Sequence, residues 1–560
     1  MGIRIQSSED DFRMLRKSGA YYVDKTDLIA EYLDQHFERA VLFARPRRFG
    51  KTLTMTMFRD FLDIRQNSRE IFSGLRIMEH SDVVAEYMNQ YPVIFLSLKE
   101  ISGRTMENVL QKLRIEVSKV CEQHRYLMES PEVSQARKTQ FDKLINQAAS
   151  QDNTEQALDL IAQMLNAHFG KPAFVIIDEY DVPIAKAYGT EFYEQVRDMI
   201  EQILSYVCKT NSSVKAVILS GYLFTVKNST YTGVNNIKPY TVLSPLYASC
   251  IGFTDENVQR LLMDAGIPES YDITAEWYDG YYFGRDRMYC PWDVLSFVQS
   301  KLDGSYSDKM GPESYWVNTS FTTQNLIHGF FGKTSEVNER FEELLAGKTI
   351  ECVINEHVPY HEIHENGENL WSALLETGYL TKAIPEKMQI MPLRIPNREI
   401  QDVFRREVWQ YFKTKVDNGF VSDLVSSLWA GEINKAEAVL CQILEATISF
   451  YHEYHEYSYH LILDGFFTGI GYRVQSERET GYGRSDLIVL DPGRNRSMIL
   501  ELKHVQAESE MNTALKEAAS QIIQKKYESV LRYEGYTTRL KYAMAFYDKR
   551  ARIRDSSFVG

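Results

Sequence analysis

The sequence predicts two α/β units in series, a parallel sheet flanked by helices in the N-terminal half and a smaller α/β domain at the C-terminus, with a helical subdomain between them. Three observations predict this. Four short runs, Ala40-Val41-Leu42-Phe43, Val93-Ile94-Phe95-Leu96, Phe174-Val175-Ile176-Ile177 and Ala216-Val217-Ile218-Leu219, are apolar at every position, as strands covered on both faces are. Longer amphipathic stretches alternate with them over the first 250 residues, the pattern of parallel strands joined by helices. From Gly469 to Lys503 the pattern becomes strands separated by Gly-rich and Pro-Gly turns.

Taken in order, polar residues follow each apolar run, so Arg45 to Thr52, Asp178-Glu179 and Ser220-Gly221 are expected at the carboxyl ends of strands, where open α/β sheets bind ligands. The stretch from about 105 to 168 is rich in Gln, Glu and Lys and predicts helices inserted between strands. Residues 250 to about 390 mix helical patterns with aromatic loops such as Trp277-Tyr278-Asp279-Gly280-Tyr281-Tyr282-Phe283-Gly284, read as packing and not as a base-stacking platform. Val403 to Phe467 is again helical. The expected boundaries are 1–250 for the sheet domain, 251–400 for the helical subdomain, 401–440 for a helical linker and 441–560 for the closing domain.

Composition narrows the function classes. A chain of 560 residues has room for several cores. Its net charge of -14 excludes a uniformly basic protein that coats nucleic acid, so any nucleic-acid contact must use a local patch. The six cysteines form no CxxC pair and read as reduced, buried thiols. Neither a signal-peptide h-region nor an apolar run of membrane-spanning length is present, which predicts a cytoplasmic protein without a membrane partner.

The first chemical constellation is Arg45-Pro46-Arg47-Arg48-Phe49-Gly50-Lys51-Thr52. It keeps the second half of the phosphate-binding pattern GxxxxGK[ST], in which backbone N–H groups wrap a phosphate, Lys reaches the β/γ phosphates and the hydroxyl holds Mg²⁺. Arg45 replaces the first glycine, and Arg45, Arg47 and Arg48 add positive charge. A strand precedes the loop, and Leu53 to Leu62 continues as a helix whose N-terminus would face the phosphate. Asp178 is then expected in the Mg²⁺ shell and Glu179 as the residue that polarises the attacking water. Ser220-Gly221 occupies a γ-phosphate sensor position, with Lys227 or Lys238 as a candidate cation. The plain alternatives are an ordinary helix start and a solvated strand end.

The second constellation lies near the C-terminus. Asp486 begins the strand Leu487-Ile488-Val489-Leu490, a turn at Asp491 to Arg496 reverses the chain, and Met498 to Lys503 returns. Alternation along that strand puts Glu501 and Lys503 on one face and Leu500 and Leu502 on the other. A solvated hairpin with a cross-strand ion pair is the competing reading.

Tyr21-Tyr22-Val23-Asp24-Lys25-Thr26, the Arg45–Thr52 loop, Phe174 to Asp181, Gly233-Val234-Asn235-Asn236, Trp277 to Gly284, Tyr315 to Ser320, Thr377 to Leu380 and Ile395-Pro396-Asn397 together resemble the bacterial AAA-ATPase-like family, over nearly the whole chain. The resemblance implies a P-loop NTPase sheet with a helical subdomain, followed by a small restriction-endonuclease-like α/β domain, with ATP and Mg²⁺ as cofactors. Asp486 followed by Glu501 and Lys503 is similar to the PD-(D/E)XK signature, without its proline. It implies Asp486 and Glu501 as metal ligands, Lys503 serving the water, Gln521 as a further polar site residue on the next helix, with Lys525 on the same helix face, and Glu456 or His460 as a further ligand. Similar proteins more often carry a basic residue near the position of Phe224, where this chain has only Lys227 close by.

The function these readings predict is ATP binding and hydrolysis gating a metal-dependent nuclease that acts on DNA. The alternative is a non-cleaving nucleotide switch or partner-binding protein with a nucleic-acid-binding C-terminal domain. A homo-oligomer is compatible with the resemblance.

Overall fold

A computed structural model describes residues 3–209, 211–223, 234–307, 311–316, 335–345, 347–356, 358–363, 367–384, 388, 390–413, 418–447, 456–476, 479–480, 483–484, 487–524, 531–532 and 535–556. The chain divides into two compact units, Met1–Tyr306 with Glu351–Glu399, and Ser307–Ile350 with Ile400–Gly560.

In the first unit the apolar runs become strands β1 (Ala40–Ala44), β2 (Val93–Ser97), β3 (Ala173–Asp178) and β4 (Val214–Gly221), joined by the short β5 (Lys238–Tyr240). Their order is β2-β3-β4-β1-β5 with every pairing parallel. Every residue of β1 and β3 is buried, which is why these strands show no alternation; a fully buried Val, Leu or Ile contributes about 1.5–3 kcal/mol.

Helix α1 (Lys51–Leu62) follows β1. The polar stretch after β2 folds as α2 (Met106–Gln123), α3 (Gln135–Ile145) and α4 (Ala157–Phe169), the last closed by left-handed Gly170. Short α5 (Val182–Ala187) and amphipathic α6 (Tyr193–Cys208) link β3 to β4.

The rest of this unit carries α7 (Asp255–Ala265), α8 (Tyr271–Tyr278), α9 (Pro291–Asp303) and α10 (Gly367–Glu376). It also holds two small sheets that its helical pattern hides. One is made of β6 (Phe253–Thr254), β7 (Tyr281–Phe283) and β8 (Asp286–Tyr289), the other of β9 (Ile350–Val353), β10 (Thr381–Lys382) and β11 (Ile390–Arg394).

In the second unit, helices α11 (Arg398–Lys413), α12 (Asn418–Ala430), α13 (Ile433–Thr447) and α14 (Glu456–Gly469) precede the strands. These are β12 (Arg473–Ser476), the pair β13 (Glu479–Thr480) and β14 (Gly483–Arg484), then β15 (Leu487–Asp491), β16 (Arg496–His504), β17 (Thr538–Tyr547) and β18 (Arg550–Asp555). The main sheet runs β12-β15-β16-β17-β18. Only β16 and β17 pair in parallel, so a crossover must join them, and α15 (Met511–Gln524) lies in it.

Alternation sorts the two faces of this sheet. Leu487, Val489, Leu500, Leu502, Tyr542 and Met544 pack with α12, α13 and α14. Ile488, Leu490, Ile499, Ala543 and Ala545 pack with α15. All six cysteines are free thiols. Among the described residues no helix is long and apolar enough to cross a membrane.

Candidate functional site

Because β4 lies between β1 and β3, with Ala44 beside Gly221 and Ile177 beside Leu219, the three segments after these strands leave one edge of the sheet. The loop after β1 turns through two left-handed residues, Arg48 (φ 66) and Gly50 (φ 92), and delivers Lys51 as the first residue of α1. Phe49 fixes the loop from below: its ring is buried against Tyr281 at 5.1 Å and Phe283 at 4.9 Å. The aromatic segment around β7 therefore serves as packing.

Lys51 is 5 % exposed, and its Nζ donates to the carbonyls of Arg45 (2.9 Å) and Pro46 (3.0 Å). Burial holds its ammonium down to about 8. Thr52 Oγ1 donates to Asp178 Oδ2 at 2.9 Å, and Ser220 Oγ donates to the other oxygen, Oδ1, at 2.6 Å. Asp178 is fully buried, and burial raises its carboxyl above the usual range. Two hydroxyls and a carboxylate on three adjacent elements are the hard oxygen donors that Mg²⁺ takes, so these residues fit that ion.

Glu179 adopts φ 53, a left-handed conformation that costs a non-glycine residue about 1–3 kcal/mol. Its N–H donates to Ser220 Oγ at 3.1 Å, and its Oε1 accepts from the Tyr222 hydroxyl at 3.1 Å. Asp181, two residues on, is buried and accepts from the N–H groups of Tyr222 and Leu223 at 3.0 Å each. Burial pushes it up to about 6.

The arginines of the loop part company. Arg47 lies over the Tyr222 ring at 5.2 Å and Arg48 over the Trp292 ring at 3.8 Å. Arg45, expected among the phosphate-binding groups, is fully buried instead. Its guanidinium donates to the carbonyls of Ala44, Tyr240, Thr241 and Tyr247 at 2.8–2.9 Å, clamping the end of β1 to the chain that follows β5. Lys238 also differs from expectation. It is exposed at the start of β5 beside Val41, at the other end of the strand from the loop. Lys227 lies outside the described residues.

In the second unit, β16 is fixed between β15 and β17 by continuous pairing. Glu501 lies opposite Ala543 and Lys503 opposite Ala545, so both share the face covered by α15, while Leu500 and Leu502 enter the other core. Glu501 is 1 % exposed and Lys503 half-buried. Gln521 is carried by α15, partly buried, and its Oε1 has no hydrogen-bond partner among the described residues. His460 is buried on α14. Asp486 and Lys525 lie outside the described residues. Among the described residues no three His, Cys, Asp or Glu side chains are grouped as a metal centre.

Residues 7–230 match the family model described as Predicted AAA-ATPase, and residues 454–556 match that of the PD-(D/E)XK nuclease superfamily. The chain carries an AAA-ATPase-like domain and a PD-(D/E)XK nuclease-like domain. A protein of Azotobacter chroococcum mcd 1, described as an uncharacterized protein in the vnfD 5' region, is 24% identical over 388 residues. The match covers 68% of this chain and 65% of that protein, so this chain spans just under two thirds of its relative.

Within the AAA-ATPase-like domain, Tyr222 and Asp181 are the participants that motif reading leaves unassigned. Asp181 stood in the sequence beside Asp178-Glu179 but has no place in the phosphate-binding pattern. Tyr222 gave no signal beyond standing after an apolar strand.

Proposed function

We propose that the AAA-ATPase-like domain binds ATP with Mg²⁺ and hydrolyses it, and that the nuclease-like domain cleaves DNA phosphodiesters with a divalent metal, under control of the nucleotide. The observation that carries the first half is the meeting of Lys51, Thr52, Asp178 and Glu179 at one sheet edge. The N–H groups of the loop through Phe49, Gly50, Lys51 and Thr52 would wrap the phosphates at the N-terminus of α1. Lys51 would take the β/γ oxygens. Thr52 and Asp178 would hold Mg²⁺, which neutralises phosphate charge when bound. Glu179 would polarise the attacking water.

In the second domain Asp486 and Glu501 would hold the metal, Lys503 would position the water and Gln521 would contact the substrate. A basic row supports nucleic acid as the partner. Arg554, Ala543 and Glu501 are register neighbours across three strands, as are Arg552, Ala545 and Lys503, and Arg550 continues the row beside Tyr547. Three arginines at alternate positions, about 6.6 Å apart, therefore share a sheet face with Glu501 and Lys503. This is the kind of local patch that a chain of net charge -14 needs in order to meet a phosphate backbone.

The test is incubation of the full chain with plasmid and Mg²⁺ or Mn²⁺, beside Asp486→Ala, Glu501→Ala and Lys503→Ala. Cleavage is expected in the unmodified protein, with a loss of about 100-fold or more in Lys503→Ala and no cleavage in the carboxylate variants. Cleavage retained by Glu501→Ala refutes the nuclease reading. Binding of the duplex without cleavage by any form supports the non-cleaving alternative.

A further inference from the structure

Tyr222 is the first residue after β4, and the groups that handle phosphate and water meet on its ring. The Lys51 ammonium stands 3.9 Å from the ring centroid, and the Arg47 guanidinium lies 5.2 Å from it. The phenol donates to Glu179 Oε1 at 3.1 Å. Its backbone is held firmly, which leaves the side chain free to turn about it. The residue is buried, its N–H donates to Asp181 Oδ2, and Gly221 before it packs so closely on Tyr180 that a Cβ there would fall 2.7 Å from that ring.

An ammonium has three hydrogens. Two on Lys51 go to the carbonyls of Arg45 and Pro46, and the third direction is taken by the negative face of the Tyr222 ring, which attracts a cation. A phosphate oxygen that accepts from Lys51 thus competes with this ring. The same side chain bonds the carboxylate assigned to the water, and a charge-assisted hydrogen bond from a phenol makes that carboxylate a poorer acceptor for anything else. One side chain therefore ties the group that binds phosphate to the group that acts on water.

We infer that Tyr222 is a positioning residue that couples the two. It holds Glu179 while it lies on Lys51, and phosphate binding at Lys51 displaces the ring and frees Glu179 to accept from water. Hydrolysis is thereby made conditional on a phosphate that has reached the lysine. The inference rests on the reading of Lys51 as the phosphate-binding lysine and of Glu179 as the water-polarising group.

Two substitutions separate the ring from the hydroxyl. Tyr222→Phe keeps the aromatic face over Lys51 and loses the bond to Glu179, whereas Tyr222→Leu loses both. The full chain is titrated with MgATP and with a non-hydrolysable ATP analogue, and turnover is followed as phosphate release. In Tyr222→Phe the affinity is expected to stay within about twofold while turnover rises several-fold. In Tyr222→Leu the analogue is expected to bind about three- to tenfold more tightly, the range that an exposed to partly desolvated cation–π contact represents.

Turnover in Tyr222→Phe that is equal to, below or as absent as that of the unmodified protein, with nucleotide binding intact, overturns the coupling. Weaker analogue binding by Tyr222→Leu, with the fold retained by circular dichroism, overturns the competition at Lys51. Equal affinity of the unmodified protein and Lys51→Ala for the analogue refutes instead the assignment of the phosphate site, so the two failures are distinguishable.

Discussion

Arg45 replaces the glycine that opens the phosphate-binding pattern, and its geometry makes a sharp prediction for Arg45→Met. The side chain is fully buried and makes four donor contacts to main-chain carbonyls at 2.8–2.9 Å. A hydrogen bond from a charged donor contributes about 1.5–3 kcal/mol; because Nη1 shares two hydrogens among three carbonyls, the four contacts amount to three bonds, about 6 kcal/mol at about 2 kcal/mol each. Against this, burial holds the guanidinium down to about 10, well below its ordinary value, which costs about 3 kcal/mol. The net contribution is then about 3 kcal/mol. Methionine is of similar length and makes none of these bonds.

Urea unfolding of the full chain, followed by circular dichroism, is expected to show the AAA-ATPase-like domain destabilised by roughly that amount. MgATP affinity, measured at urea-free conditions where the variant is folded, should change little, because the guanidinium points away from the loop. A variant as stable as the unmodified protein but with nucleotide affinity reduced tenfold or more would place the guanidinium on the phosphate and refute the reasoning.

Burial of Lys51 predicts a pH effect. Its ammonium, held down to about 8, is charged below that pH and neutral above it, so MgATP affinity should fall by up to about tenfold per pH unit above pH 8; Lys51→Arg should flatten that profile in a fluorescence titration. Since the unfolded chain keeps this proton to about 10.4, the group's contribution to stability rises between about pH 8 and 10, and Lys51→Met should remove that rise in pH-dependent melting. Phe49→Ala should lower stability by about 3–5 kcal/mol, read by urea unfolding, and weaken nucleotide binding, because the ring anchors the loop on Tyr281 and Phe283. Gly280→Ala should give little folded protein in thermal melts, because Gly280 sits at φ +101 with the Pro396 carbonyl where a Cβ would go.

What the sequence showed and what it hid follow one physical rule. The strands β1 to β4 were legible because each is apolar on both faces and ends in polar residues. The β15–β16 hairpin was legible from its Asp491-Pro492-Gly493 turn. Strand β5 escaped notice because Lys238-Pro239-Tyr240 is three residues long, with an exposed lysine and a proline that suits an edge. The small sheets of β6 to β11 were hidden by strands of two to five residues, too short for alternation to show.

At the site, motif spacing picked out Lys51, Thr52, Asp178 and Glu179, which stand at the ends of adjacent strands and meet at one sheet edge. The same pattern misplaced Arg45. A charge beside a phosphate loop reads as a ligand, and only the tertiary structure shows four carbonyls waiting for it. Tyr222 was invisible for the converse reason, since its partners lie 43 and 171 residues away along the chain and no local pattern joins them.

The central claim is that nucleotide at the Lys51 site controls cleavage at the Glu501 site. The most direct measurement is the rate of plasmid cleavage with Mg²⁺, with and without saturating ATP, for the unmodified protein and for Lys51→Ala. The account predicts that ATP changes the rate of the unmodified protein and leaves that of Lys51→Ala unchanged. An identical response to ATP in both proteins, or none in either while cleavage proceeds, would contradict it.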